Sequence, residues 1–318
     1  AAKEKLRALR KDADESKIFY PPYQELIKSE QKVWGIAFSP NGKWMAVGSE
    51  DKIWLHDIGR IQNRTLLLDG LARERHNLSW SPKGHYVSYT AKSQDGDQTA
   101  LYSVRVDQGL GKITDPQECL LEKNGFHCYD WQDDESEIAF SSNNPGAINL
   151  FSLSEHKITW SRLYDSFIYT IKWGGNPNQL SLLINDSTYQ LTTRVLDTAT
   201  GRENMHLRGQ LLFDFTSDRR FGALFSQVKD GKRAYLGLHS TEKNQIVHVS
   251  LPEGAERPHL GCFDSGARHF VVPAFTEIGE IIKYDRTNKS LSVVTPPDGY
   301  FHFPLVSPDG RFLLYGQY

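Results

Sequence analysis

Cysteine and methionine are scarce in this sequence, with three and two residues in 318. The cysteines are Cys119, Cys128 and Cys262, an odd count without a C-x-x-C pair. That excludes a disulfide-stapled scaffold and argues against a zinc ribbon or a thioredoxin-type redox site. Buried or half-buried free thiols are expected instead. No run of eighteen apolar residues occurs, so no membrane-spanning helix is expected. A surplus of one charge is missing as well. Lys and Arg number 37 against 39 Asp and Glu, for a net charge of -2. Without a basic excess the chain does not read as a general binder of nucleic acid or of anionic membranes.

The common catalytic signatures are absent too. There is no G-x-S-x-G elbow, no H-E-x-x-H, no phosphate-binding G-x-x-x-x-G-K-[ST] and no G-x-G-x-x-G. The chain opens Ala1-Ala2-Lys3 without an apolar leader. Either a leader was removed or a linked domain lies upstream of residue 1. Residues 1–16 are expected to be a charged, partly helical tail or linker stub, and 17–318 a single domain. The thiol usage leaves the compartment open and favours the cytoplasm slightly over the periplasm.

What is present is repetition. The segments FSPNGKW (38–44), WSPKGHY (80–86) and VSPDGRF (306–312) each end one apolar run, turn through Pro and Gly, and start another. That is the grammar of a β-hairpin. Weaker copies are WQDDESEI (131–138), WGGNPNQL (173–180), FTSDRRF (215–221) and FDSGARHF (263–270). The anchors Phe38, Trp80, Trp131, Trp173, Phe215, Phe263 and Val306 are spaced by 42, 51, 42, 42, 48 and 43 residues. Each unit holds four candidate strands. In the first these are Val33–Ser39, Trp44–Gly48, Ile53–Asp57 and Thr65–Leu68. A lone four-stranded sheet with two apolar faces must bury both against neighbours, and radial packing does so.

These motifs resemble the WD-repeat and TolB-like (Ser-Pro-Asp-Gly type) β-propeller families. The resemblance rests on Ser-Pro-x-Gly at 39–42, 81–84 and 307–310. It rests also on the strand-ending pattern VLDTATG (195–201), echoed by WLHDIG (54–59) and KYDRTN (283–288). No Trp-Asp pair ends a third strand and no Gly-His opens a unit, so the His-Asp pairing of regular WD repeats does not carry over. The resemblance implies an all-β, seven-bladed β-propeller of four-stranded antiparallel blades. The seventh unit stops after two strands, Phe301–Val306 and Phe312–Tyr318. Lys17–Tyr20 and Tyr23–Ser29 are expected to complete it from the N-terminus. The second unit carries extra length at Lys92–Gln98 and Asp107–Pro116.

Two groups of residues invite functional readings. Four positions before the anchors stand Trp34, His76, His127, Tyr169, Leu211, His259 and His302. Four of these seven are histidine, in a chain with 11 histidines. Side chains there start the innermost strands and would converge at a channel mouth. His76, His127, His259 and His302 are therefore candidate ligands for a transition metal, as in a metal-dependent lyase or hydrolase. The plainer reading is that amphipathic rings suit a half-wet mouth. Arg60, Arg64, Arg73 and Arg75 lie in the connection between the first two units, and with Trp34 they form a candidate partner-binding edge. Asp130 and Lys172, in adjacent units, suggest an inter-blade ion pair. Together these features favour a non-catalytic scaffold or recognition module that binds a protein or peptide partner, with no cofactor expected.

Overall fold

The computed structural model describes residues 33–60, 63–69, 76–92, 99–107, 112–113, 117–122, 126–143, 146–185, 191–208, 210–215, 221–227, 234–240, 245–250, 262–263, 269–274, 280–285, 287–288, 290–294, 301–308 and 313–317. Apart from one short 3-10 turn at Ile58–Arg60, the regular elements among them are strands. The chain divides into two compact units, with the boundary between His206 and Leu207.

The unit spanning Leu26–His206 holds four sheets. The first is β1 (Val33–Phe38), β2 (Trp44–Ser49), β3 (Lys52–Asp57) and β4 (Arg64–Leu68), paired antiparallel in chain order. The second is β5 (His76–Trp80), β6 (Tyr86–Lys92), β7 (Thr99–Asp107), β8 (Lys112–Ile113) and β9 (Gln117–Glu122). The third is β10 (Phe126–Trp131), β11 (Glu137–Asn143), β12 (Gly146–Ser152) and β13 (Lys157–Leu163). The fourth is β14 (Ile168–Trp173), β15 (Gln179–Asn185), β16 (Leu191–Asp197) and β17 (Arg202–Arg208).

The second sheet corrects the expectation of four strands per unit. Its outer edge comes in two pieces: β8 pairs with Val106 and Asp107, and β9 with Thr99–Ser103. Part of the extra length expected to be loop folds back as β8, because β7 is long enough to seat both pieces.

In the second unit, β18 (Gln210–Phe215), β19 (Phe221–Gln227), β20 (Ala234–Ser240) and β21 (Gln245–Ser250) form one sheet. The next is β22 (Cys262–Phe263), β23 (His269–Ala274), β24 (Glu280–Asp285) and β25 (Ser290–Val293). The last described pair is β26 (Phe301–Val306) with β27 (Leu313–Gln317). The strands expected to complete it, Lys17–Tyr20 and Tyr23–Ser29, lie outside the described residues, as does the 1–16 tail.

The hairpins explain why degenerate motifs fold alike. Ser39 donates its N–H to Trp44 O, Ser81 to Tyr86 O, Gln132 to Glu137 O and Gly174 to Gln179 O, at 2.7–3.0 Å. A tighter bond closes three of these turns, from Gly42, Gly84 and Glu135 N–H back to the same first residue. The fourth turn cannot make it, because Pro177 at that position has no N–H. Gly42 and Gly84 take φ of +67° and +78°, the left-handed region that glycine enters without a Cβ penalty. Ser39 and Ser81 are buried, and each hydroxyl accepts the N–H that starts the next strand, from Trp44 and Tyr86.

The strand-ending aspartates do a second local job. Asp57, Asp197 and Asp285 accept backbone N–H bonds from Gly59, Thr200 and Thr287 through one carboxylate oxygen. These bonds fix the turns that follow the third strands. Ser152 stands at the equivalent register in the third sheet and accepts from Glu155 N–H with its hydroxyl.

The core lies in layers between successive sheets. Ala37, Ile53 and Leu55 of the first sheet meet Trp80, Val87 and Tyr89 of the second. Leu101 of the second meets Trp131, Ile138 and Phe140 of the third. Ile148 and Leu150 of the third meet Ile171, Trp173 and Leu180 of the fourth. The anchor tryptophans Trp80, Trp131 and Trp173 are all buried. Each such burial contributes roughly 1.5–3 kcal/mol, so the layers hold neighbouring sheets together.

Candidate interaction surface

Strand direction sorts the surface into two ends within each sheet. Innermost strands start, and outermost strands finish, at one end; the Ser-Pro-x-Gly hairpins occupy the other. The first residues of the innermost strands are therefore the positions four before the anchors. Trp34, His76, His127, Tyr169, Leu211 and His302 all fall at the first or second residue of their strands. A register shift accompanies each, at Val33/Gly35, His76/Ser79, Phe126/Tyr129, Ile168/Thr170, Leu212/Asp214 and His302/Leu305. Bulges of this kind bend a strand and re-aim its side chains.

Trp34 is half-buried at this end of the first sheet. Its indole donates to Glu50 O at 3.1 Å, and its ring lies so close to Gly48 that a Cβ there would stand 2.5 Å from it. His76, His127 and His302 begin their strands as expected, but their side chains are outside the described residues, and so is the whole of His259. No three His, Cys, Asp or Glu side chains converge into a metal site among the described residues.

The first sheet places Arg60 and Arg64 away from Trp34. Val33 pairs with Ser49, and Leu68 with Ile53, at one end of the first sheet; Arg64 pairs with His56 near the other. Arg60 ends the 3-10 turn that leads into β4, and both arginines are exposed. Trp34 and Arg64 thus sit on the innermost and outermost strands at opposite ends, which corrects the expectation that they lie side by side. Antiparallel pairing, which reverses the chain at every turn, is the reason. Arg64 instead stacks its guanidinium on Trp54, 4.3 Å from the ring centroid. Arg73 and Arg75 are outside the described residues.

The Asp130–Lys172 pair forms between the third and fourth sheets, with Nζ 3.9 Å from Oδ1. The other oxygen, Oδ2, accepts the backbone N–H of Trp173 at 2.8 Å. Cys128, beside it, is a free thiol 3.1 Å from Ser141 Oγ. Burial pushes its pKa up to about 12, with Ser141 opposing weakly, so it is a poor nucleophile.

An exposed apolar group also marks the strand-start end, and of its members only Tyr169 is among the positions named from the sequence. Leu163 finishes β13 with 67% of its surface exposed. Phe167 and Tyr169 follow across the connection into β14, also exposed, with ring centroids 4.9 Å apart edge to face. Asn185 at the end of β15 donates to Tyr169 Oη at 3.0 Å and steadies that ring. The connection is seated on Gly146, where any Cβ would collide with Ser166 O, and Tyr164 N–H bonds Gly146 O at 2.7 Å. The available signal was the run SFIY (166–169), apolar where a connection between sheets is expected to be polar.

With this geometry in view, three comparisons with known proteins bear on the chain. Residues 21–55 match the WD40 family, described as WD domain, G-beta repeat. No curated protein matches. Among solved structures, the chain is similar to one titled Kuenenia stuttgartiensis Hydrazine Synthase, with a TM-score of 0.63 and 12% identity. That likeness covers 92% of this chain and 95% of the other, and at such low identity it speaks for the fold alone. The antiparallel four-stranded sheets and the WD40 match together support a WD-repeat-like β-propeller.

Proposed function

We propose that this chain is a seven-bladed β-propeller, with Ser-Pro-x-Gly turns of the TolB-like type, acting as a non-catalytic recognition module for a protein or peptide partner. The WD40 match supports the reading, since WD repeats generally mediate protein–protein interaction. The observation that carries it is the partly exposed aromatic pair Phe167–Tyr169 on the connection that follows Leu163. Aromatic side chains are typical interface anchors, and Tyr169 adds a polar tip to an apolar body.

The test is isolation of bound partners under native conditions, followed by affinity measurement on the recovered complex. The wild type and a Phe167→Ala/Tyr169→Ala variant of unchanged melting temperature are compared. Affinity weaker by about tenfold or more supports the reading, since hot-spot truncation costs about 2 kcal/mol. Equal affinity removes this surface from it. The histidine-ring reading makes a different demand: about one transition metal per chain, lost in a His76→Ala/His302→Ala variant.

A further inference from the structure

On the wall between the third and fourth sheets, one carboxylate faces two guanidinium groups. Arg162 of β13 donates Nη1 to Gly201 O at 2.6 Å and Nη2 to Glu203 Oε1 at 3.0 Å. Arg194 of β16 donates Nη1 to Glu203 Oε2 at 3.2 Å. Glu203 is largely enclosed, with 10% of its side chain exposed, while Arg162 and Arg194 keep 32% and 24%. Among the described residues, one positive charge is left over in a half-enclosed place that solvent can reach.

The donors are unsaturated as well. Arginine carries five N–H groups, and Arg194 Nε is buried with no acceptor. Tyr164 lies next to the pair, its ring centroid 5.0 Å from the Arg162 guanidinium. It is 7% exposed, and its hydroxyl lies beside the Glu203 carboxylate without a well-formed hydrogen bond among the described residues. Burial, followed by the Glu203 charge, raises the pKa of that hydroxyl, which keeps it a donor. Buried donors without an acceptor are costly, and half-buried charge calls for a counter-charge.

We infer that Arg162, Arg194 and Tyr164 form a binding site for a single oxyanion, a carboxylate or phosphate group. Such a group offers paired acceptors that match the planar guanidinium fork and cancels the remaining charge. Glu203 behind it holds the two arginines in place. The inference stands apart from the recognition reading, because a free anion suffices to test it.

The experiment is calorimetric titration of the full chain with sodium phosphate and, separately, sodium acetate, at constant ionic strength. Saturable binding is expected for at least one probe. Phosphate alone would indicate a phosphoryl ligand and acetate alone a carboxylate. Arg194→Gln is expected to weaken binding about tenfold, as loss of a charge-assisted bond does. Tyr164→Phe, which alters no charge, is expected to weaken it several-fold. Lys157→Gln, remote on the exposed edge, leaves it unchanged. Absence of saturation with both probes overturns the inference. So does wild-type affinity in both Arg194→Gln and Tyr164→Phe. If Arg194→Gln does not fold, Tyr164→Phe and the wild-type titration decide the matter.

Discussion

Trp131 donates its indole N–H to the hydroxyl of Ser88 at 2.9 Å, across the boundary between the second and third sheets. The same hydroxyl lies 2.9 Å from Tyr129 Oη, which in turn donates to Asn77 O in the bulge of β5. One serine thus couples an anchor, a tyrosine and a bulge of the neighbouring sheet. Ser88 pairs with the residue preceding anchor Trp80; the equivalent residue in the third sheet, pairing with the residue preceding anchor Trp131, is Ala139. Alanine has no hydroxyl to offer, and the next anchor, Trp173, is left with a buried Nε1 that has no partner. Ala139→Ser is therefore expected to stabilise the protein by about 1 kcal/mol, and Ser88→Ala to destabilise it by about 1–3 kcal/mol. Urea unfolding midpoints at constant slope read both. A destabilised Ala139→Ser would show that crowding of this fully buried site outweighs the new bond.

Glu135 holds a φ of +63° at the turn position that Gly42 and Gly84 occupy elsewhere. Its carboxylate explains why glycine is not used. Oε1 accepts Lys83 N–H at 2.8 Å and Oε2 lies 2.7 Å from His85 Nδ1, so it caps the hairpin of the neighbouring sheet. Left-handed backbone costs roughly 1–2 kcal/mol for a residue with a Cβ, and hydrogen bonds to a charged group return roughly 1.5–3 kcal/mol each. Glu135→Gly loses the bonds but sheds the backbone cost; Glu135→Ala loses the bonds and keeps it. The expected stability order is wild type, then glycine, then alanine, read by thermal melting. Alanine more stable than glycine would contradict the assigned backbone conformation.

The hairpins were legible because their physics is local. Ser39 and Ser81 are satisfied within six residues, and the degenerate turn at Gln132–Glu137 keeps the same closing bond without the motif. Periodic anchors such as Trp80 and Trp173 revealed the layers between sheets, since only one register buries them. The Asp130–Lys172 pair was found for the same reason, as equivalent positions in adjacent units. The rest depended on pairing across long separations. Arg162 and Glu203 stand 41 residues apart and meet only because β13 packs beside the fourth sheet. Trp34 and Arg64 are closer in sequence, yet end apart because the chain reverses between them. Exposure is hardest to read: nothing local tells Phe167, partly exposed, from Ile168, its buried neighbour.

Cys128 ties stability to alkaline pH. A thiol ionises near 8.5 in an unfolded chain, whereas in the fold burial pushes it up to about 12. Between those values the unfolded state releases a proton that the folded state keeps. Stability contributed by the protonated thiol is therefore fully present below about 8.5 and falls as pH rises, by at most ~1.4 kcal/mol per unit. Cys128→Ser is expected to flatten that part of the stability profile. Mass-spectrometric mapping after brief iodoacetamide treatment at pH 8 should leave Cys128 unmodified in the native protein and label it in urea. Rapid native labelling would mean that the thiol is not enclosed.

Gly146 offers the most direct handle on the exposed aromatic group. It begins β12 where the connection from β13 to β14 passes directly over it, and Tyr164 N–H bonds its carbonyl. A Cβ at this position meets Ser166 O, a backbone atom that cannot rotate away. Gly146→Ala must therefore push the 164–167 backbone outward, straining a packed site by typically 1–3 kcal/mol. The shift falls on Phe167 and Tyr169 while leaving their chemistry intact. If that pair is the contact surface, Gly146→Ala weakens partner affinity without removing a single contacting atom, and the loss approaches that of Phe167→Ala/Tyr169→Ala. Melting temperature and affinity, measured on the same preparation, separate the two effects. A variant that melts lower yet binds as well as wild type would place the contact elsewhere, since a displaced surface cannot retain full complementarity.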